Sequence, residues 1–143
     1  MLIAELYTEI AKDFPIDQTD LGGEAIKTTS IWVKYIKLWS EETLRLEKLQ
    51  SGRNTLLSVK REYYSGNAPP EVYKANPFNG KTPKSDKGIQ ILIDNDLDVI
   101  QYDEGLIVQK NKVDILEAAL DETKKRGYSK ANAITMARFM NGG

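Results

Sequence analysis

Within the segment LLSVKREYYSG, residues 56–66, Lys60 and Arg61 are followed, after Glu62, by Tyr63 and Tyr64. Cations neutralise phosphates, and tyrosine rings stack on bases whatever their identity, so this order of residue types suits a sequence-tolerant contact with single-stranded nucleic acid. Upstream, Leu46, Leu49, Arg53, Leu56, Lys60 and Tyr63 follow steps of 3, 4, 3, 4 and 3, one helical seam in which basic members interrupt apolar ones. A buried, unpaired arginine or lysine is costly, so Arg53 and Lys60 must meet water, a carboxylate or a polyanion. A plainer reading competes: the two cations snorkel at the edge of a helix bundle and the tyrosines anchor a core. Arg45, one turn above Leu49, extends the same basic stretch.

A second group of candidates is acidic. Asp94, Asp96, Asp98, Asp103 and Glu104 look like a metal cluster, but they are spread around a helix and lack the D-x-D-x-D-G order of a calcium loop. They read as a solvated or salt-bridged acidic face, and no metal or other cofactor is expected. Catalysis has little to work with. The 143 residues contain no cysteine and no histidine, which removes thiolate and imidazole zinc sites, cysteine or histidine nucleophile dyads and the usual general base. No G-x-x-x-x-G-K loop is present, so the chain is expected not to be an enzyme.

The net charge of −1 conceals strong segregation. Residues 1–44 carry 4 basic and 8 acidic groups, 45–88 carry 9 and 4, 89–122 carry 2 and 9, and 123–143 carry 5 and none. Such blocks fit either a polyanion site beside an acidic face or packing between oppositely charged helices. The amino terminus, MLIAELYTEI, is broken by Glu5 and Glu9, so neither a leader nor a membrane span is read there, and a soluble cytoplasmic protein is expected.

The elements that must position these residues read as helices. Leu2, Leu6 and Ile10 form a short amphipathic helix that Pro15 should end, and Asp20 or Thr19 can cap the next. From about 24 to 65 no proline occurs, and Trp32, Ile36 and Trp39 repeat at helical spacing. One long helix follows, spanning roughly 60 Å. Residues 66–84, with four prolines and two glycines, read as an irregular loop in which Lys74, Lys81 and Lys84 alternate with Tyr73 and Phe78.

Residues 86–126 admit two readings. IQILIDNDLDVIQY alternates like strands around an Asn95-Asp96 hairpin turn, but Val99, Tyr102, Leu106, Gln109, Val113, Leu116 and Leu120 keep heptad steps and favour one helix. A second apolar set, Ile89, Ile93, Leu97, Ile100, Ile107, Val108 and Ile115, lies roughly half a turn away. Two apolar faces need two neighbours, and a ring of identical subunits joined through the seam Val99, Tyr102, Leu106, Val113, Leu116 and Leu120 supplies them. The helix should stop at Gly127, after Lys124, Lys125 and Arg126, and a last short helix should start at Ser129.

The basic stretch running into Y-Y-S-G, KDFPIDQTDL near the start, the long helix, the loop and the late segment KKRGYSKANAI resemble, over nearly the whole chain, the UvsY recombination mediators of T-even-like phages. The resemblance implies a non-catalytic protein that binds single-stranded DNA and forms ring-shaped homo-oligomers through carboxy-terminal helices. It also implies loading of a UvsX-type recombinase onto DNA covered by the phage single-strand-binding protein. Of the family's basic pair ahead of Y-Y-S-G, the first position here is Ser58, the second is Lys60, and an additional charge stands at Arg61.

The expectation is therefore an all-α protein of two long helices joined by an irregular loop, with short terminal helices. Residues 1–65 form a DNA-binding part, 66–84 the loop and 85–143 an oligomerisation part. Lys60, Arg61, Tyr63 and Tyr64 are the first candidates for DNA contact, and Arg53 and Arg45 the second. The rival is a scaffolding coiled-coil oligomer whose charge blocks serve only subunit packing.

Overall fold

The computed structural model describes the backbone of residues 1–140 and the side chains of residues 1–127. Five helices follow in order: α1 (Ile3–Asp13), α2 (Leu21–Tyr64), α3 (Pro70–Ala75), α4 (Asp86–Asp94) and α5 (Leu97–Met140). Among the described residues there is no strand, so the hairpin reading of 89–102 falls away. No described helix is long and apolar enough to cross a membrane. The chain divides into two compact units, residues 1–44 with 110–143, and residues 45–109. Because α2 and α5 each contribute to both, both halves of the sequence enter each unit.

In the first unit Leu6 of α1, Ile31 and Tyr35 of α2, and Leu116 and Ala119 of α5 make the buried core, with Ile10, Phe14, Leu38 and Trp39 packed around it. The sequence directs this: Leu6 and Ile10 share one face of α1, and Ile31, Tyr35 and Leu38 one face of α2. Asp20 caps α2 as expected, accepting the Gly23 amide at 3.0 Å. The polar closure of the unit is a buried ion pair between Arg126 and Glu24. Arg126 also donates to the Phe14 carbonyl at 3.2 Å, and Glu24 accepts the Asp17 amide at 3.0 Å. The α1–α2 turn is thereby tied to α5.

Arg126 does not precede a helix stop. α5 runs unbroken past Gly127 to Met140, so the expected stop and the separate helix from Ser129 are corrected at the backbone level. The side chains expected on that last helix, Ile134, Ala137 and Phe139, lie outside the described residues.

In the second unit Ile89 and Ile93 of α4 and Val99 of α5 are buried against Leu56, Leu57 and Tyr64 of α2. Burying a side chain such as Ile93, which is fully inaccessible, stabilises by about 1.5–3 kcal/mol. α4 and α5 are two helices, where periodicity alone reads one. The break falls at Asn95–Asp96, and Asp96 restarts the chain as the cap of α5, its Oδ1 accepting the amides of Asp98 at 2.9 Å and Val99 at 3.2 Å. The segment 66–84 is likewise more ordered than a plain loop, since it holds α3. Gly66, at φ +81°, ends α2 in the left-handed region that glycine enters without strain.

The heptad face of α5 is used within the chain. Val99, Val113 and Leu116 are buried, Leu120 packs against the first unit's core, and Tyr102 donates to the Leu49 carbonyl of α2 at 2.6 Å. The other apolar set divides: Ile89 and Ile93 are buried, whereas Leu97, Ile100, Ile107 and Val108 are exposed, Leu97 by 73% and Ile107 by 62%.

Tyr102 also explains a glycine in mid-helix. A Cβ at Gly52 would collide with the Tyr102 hydroxyl, while the ring carbon behind it would lie at an ordinary 3.5 Å. Gly52→Ala should therefore destabilise by about 1–3 kcal/mol, overpacking outweighing the helix-propensity gain of about 1 kcal/mol. In a Tyr102→Phe background the same change should stabilise. Thermal unfolding of the four variants checks this, and an equal loss in both backgrounds would refute the contact.

Candidate nucleic-acid interface

The last three turns of α2 carry the sequence candidates, and their helical spacing sorts them onto different faces. Arg53, Leu56, Lys60 and Tyr64 look toward α4 and the start of α5. Arg53 engages Asp103 through two hydrogen bonds, Nε to Oδ1 at 2.6 Å and Nη2 to Oδ2 at 3.2 Å. The Lys60 ammonium lies 2.7 Å from Asp98 and 3.2 Å from Asp96, with only 15% of its side chain exposed. The acidic block thus acts as the countercharge of the basic seam. Among the described residues no group of carboxylates is arranged to hold a metal ion.

Asp96 is the centre of this arrangement. Besides capping α5 it accepts the Tyr64 hydroxyl at 2.6 Å and lies beside Lys60, while only 8% of the residue is exposed. Burial pushes the Asp96 carboxyl up, but the hydrogen bonds from Tyr64, Lys60 and the Val99 amide outweigh it, leaving it below the ordinary aspartate value of 3.8. Burial likewise disfavours the Lys60 charge, and the bonds to Asp98 and Asp96 reverse that, holding its pKa above 10.5. For Asp103 the Arg53 hydrogen bond dominates and lowers the carboxyl.

Tyr63 and Tyr64 are packed into an aromatic cluster. Their rings meet edge-on at 5.0 Å, Tyr63 stacks on Tyr73 at 5.3 Å, and Phe78 touches both, at 5.7 and 5.4 Å. The hydroxyl of Tyr73 donates to the Tyr63 carbonyl at 2.7 Å and that of Tyr63 to the Asn76 carbonyl at 2.8 Å. Of the two roles weighed for the tyrosines, this geometry favours anchoring: they fasten residues 66–84 to the end of α2. An open cleft remains beside them, lined by Val59, Lys60, Tyr63, Val72 and Asn76.

Arg61 is exposed and reaches α4 through the neutral Gln90 side chain, to which it donates at 2.9 Å, rather than through a carboxylate. Arg45 is exposed further up α2. Sequence reasoning paired Lys74, Lys81 and Lys84 with Tyr73 and Phe78 but did not rank them as site residues, and all three lysines are exposed on the segment that the cluster holds. The role of Asp96 was also missed, although an aspartate three residues before the buried Val99 is a helix-start signal.

Depressed carboxyl values mean that the Asp96 and Asp103 interactions stabilise the fold fully above the unfolded value near 4 and are lost as pH falls through the lower folded values. The raised Lys60 value keeps its contribution intact below 10.5. Asp96→Asn should retain a capping oxygen yet cost about 1–3 kcal/mol at neutral pH, because a charge-assisted bond to a partly buried Lys60 is removed. It should also flatten the decline of the melting temperature below pH 4. A variant with the wild-type melting temperature and acid profile would show that Asp96 carries no such burden.

Comparison with known proteins agrees with this architecture. The family profile described as recombination, repair and ssDNA binding protein UvsY matches residues 9–143. The recombination protein uvsY of Enterobacteria phage T4 is 24% identical over 142 residues, covering 99% of each chain. Crystal structures of the bacteriophage T4 recombination mediator protein UvsY superpose with TM-scores of 0.85 and 0.80 in two lattice types, each at 23% identity. The first covers 99% of both chains and the second 98% of this one and 99% of the other. With a family match over nearly its whole length and the same helical fold, this chain belongs to the UvsY family.

Proposed function

We propose that the chain is a recombination mediator that binds single-stranded DNA along the carboxy-terminal end of α2 and loads a UvsX-type recombinase onto DNA covered by the phage single-strand-binding protein. Family membership and the T4 relative's name as a recombination mediator support the class of function. The observation that carries the surface is the exposed Arg61 beside a segment that Tyr63 and Tyr64 hold in place. Arg61 meets phosphate directly. Lys60 and Arg53 contribute where strand phosphates replace Asp98, whose side chain is 64% exposed, or Asp103, and Arg45 extends the track.

Residues 1–65 then supply DNA contacts and 85–143 supply subunit contacts. Among the described residues, Leu97, Ile100, Ile107 and Val108 form an apolar stripe of α5 open to neighbours in a ring, the seam from Val99 to Leu120 being largely engaged within the subunit. A ring repeats each weak phosphate contact and raises avidity without new contacts per subunit. Such a protein works in the host-cell cytoplasm, without cofactor and without membrane.

The internal ion pairs of Arg53 and Lys60 favour one rival, an oligomeric scaffold whose charges serve packing alone. Fluorescence anisotropy with a labelled oligo(dT), read across salt, separates the two. The mediator should bind at moderate salt with log K falling steeply against log salt, and Arg61→Ala should weaken binding about equally on every sequence. A protein that forms oligomers yet leaves the oligonucleotide free at low salt would be the scaffold.

A further inference from the structure

We infer that Lys74, Lys81 and Lys84 form a second, preorganised stretch of phosphate contacts for a single strand, an assignment that rests on the DNA-binding reading above and names the side chains that supply most of its charge. The starting point is an imbalance. Of the cations on the seam of α2, Arg53 and Lys60 are held by Asp103, Asp98 and Asp96, so a phosphate reaching them must first displace a carboxylate. The three lysines are exposed and, among the described residues, have no ion-pair or hydrogen-bond partner. Between Glu71 and Asp86 the chain carries no acidic residue, so a strand passing along 72–84 meets three positive charges in succession.

Surface lysines on a floating loop would be a poor site, because ordering the loop would consume the binding energy. This segment is already ordered at both ends and in the middle. Tyr73, adjacent to Lys74, stacks on Tyr63 and donates to its carbonyl. Phe78 packs on Tyr63 and Tyr64. Thr82 lies against Gly66 and Pro83 against Gly88, which fixes the backbone between Lys81 and Lys84, and Ser85 then caps α4 through the Gly88 amide at 3.2 Å. The cluster's ring faces are spent on this anchoring, so the contact is electrostatic and reads backbone rather than bases. Anchored in this way, the lysines add to the exposed charge of Arg61, which is tied to α4 through Gln90.

The test uses the full-length protein with all three lysines changed to Gln (Lys74→Gln, Lys81→Gln, Lys84→Gln) and a second variant with all three changed to Arg, against fluorescein-labelled oligo(dT). Each phosphate contact on a single strand contributes a slope of about −0.7 in log K against log salt, so the Gln variant should lose about two units of slope per bound subunit and at least tenfold in affinity near 0.1 M salt. The Arg variant should keep both. All three proteins should melt together, since the lysines have no internal partners. Wild-type binding with an unchanged slope and affinity in the Gln variant would overturn this assignment while leaving DNA binding through α2 standing. A wild-type protein that ignores the oligonucleotide at low salt would overturn the DNA-binding reading itself.

Discussion

A cation placed on the packed face of a helix must find a countercharge, and in this protein the countercharge is Asp96 and its neighbours. That constraint sets the local architecture. Asp96 ends the turn after α4, starts α5, accepts the Tyr64 hydroxyl and faces Lys60, so one carboxylate links a helix break, an aromatic cluster and a basic seam. An isolated carboxylate at this depth would be expensive to bury. Surrounded by donors, it becomes the reason the end of α2 has one defined partner.

Two consequences follow for the charge blocks. Part of the basic block, Arg53 and Lys60, is matched within the subunit by part of the acidic block, while Arg61 and the lysines of 72–84 are not. The division is geometric: members of the seam point across the unit, and members of the anchored segment point outward. α5 shows the same economy with apolar side chains. One of its faces is buried by the chain's own helices, and the stripe from Leu97 to Val108 stays in solvent.

Much of the helical framework was legible in the residues. The proline-free run to Tyr64, the period of Trp32, Ile36 and Trp39, the Asp20 cap and the stop signals around Pro15 locate α1 and α2 closely. The requirement that Arg53 and Lys60 meet a carboxylate was also legible, as was the acidic block able to supply it. The break at Asn95–Asp96 was legible only as a turn signal: apolar residues keep helical period on both sides of it and neither glycine nor proline marks it, so the period outweighs the turn and the cap. Gly127 misled in the opposite direction: a glycine after three basic residues has the chemistry of a helix end, yet α5 passes through it. Which apolar face of α5 is buried internally could not be read either, since burial by a neighbouring helix and burial by a neighbouring subunit demand the same residues. The tyrosines carried two roles in one signal, and only the positions of Tyr73 and Phe78 separate anchoring from stacking on bases.

The central claim is that positive charge on the end of α2 and its anchored segment is divided between cations kept for the fold and cations kept for a single strand. Lysine acetylation footprinting by mass spectrometry, with and without saturating oligo(dT), measures that division residue by residue. The account predicts that Lys74, Lys81 and Lys84 react readily in the free protein and are shielded by the oligonucleotide, while Lys60 reacts slowly in both states. Equal labelling of the three lysines with and without the strand, or fast labelling of Lys60 in the free protein, would contradict it.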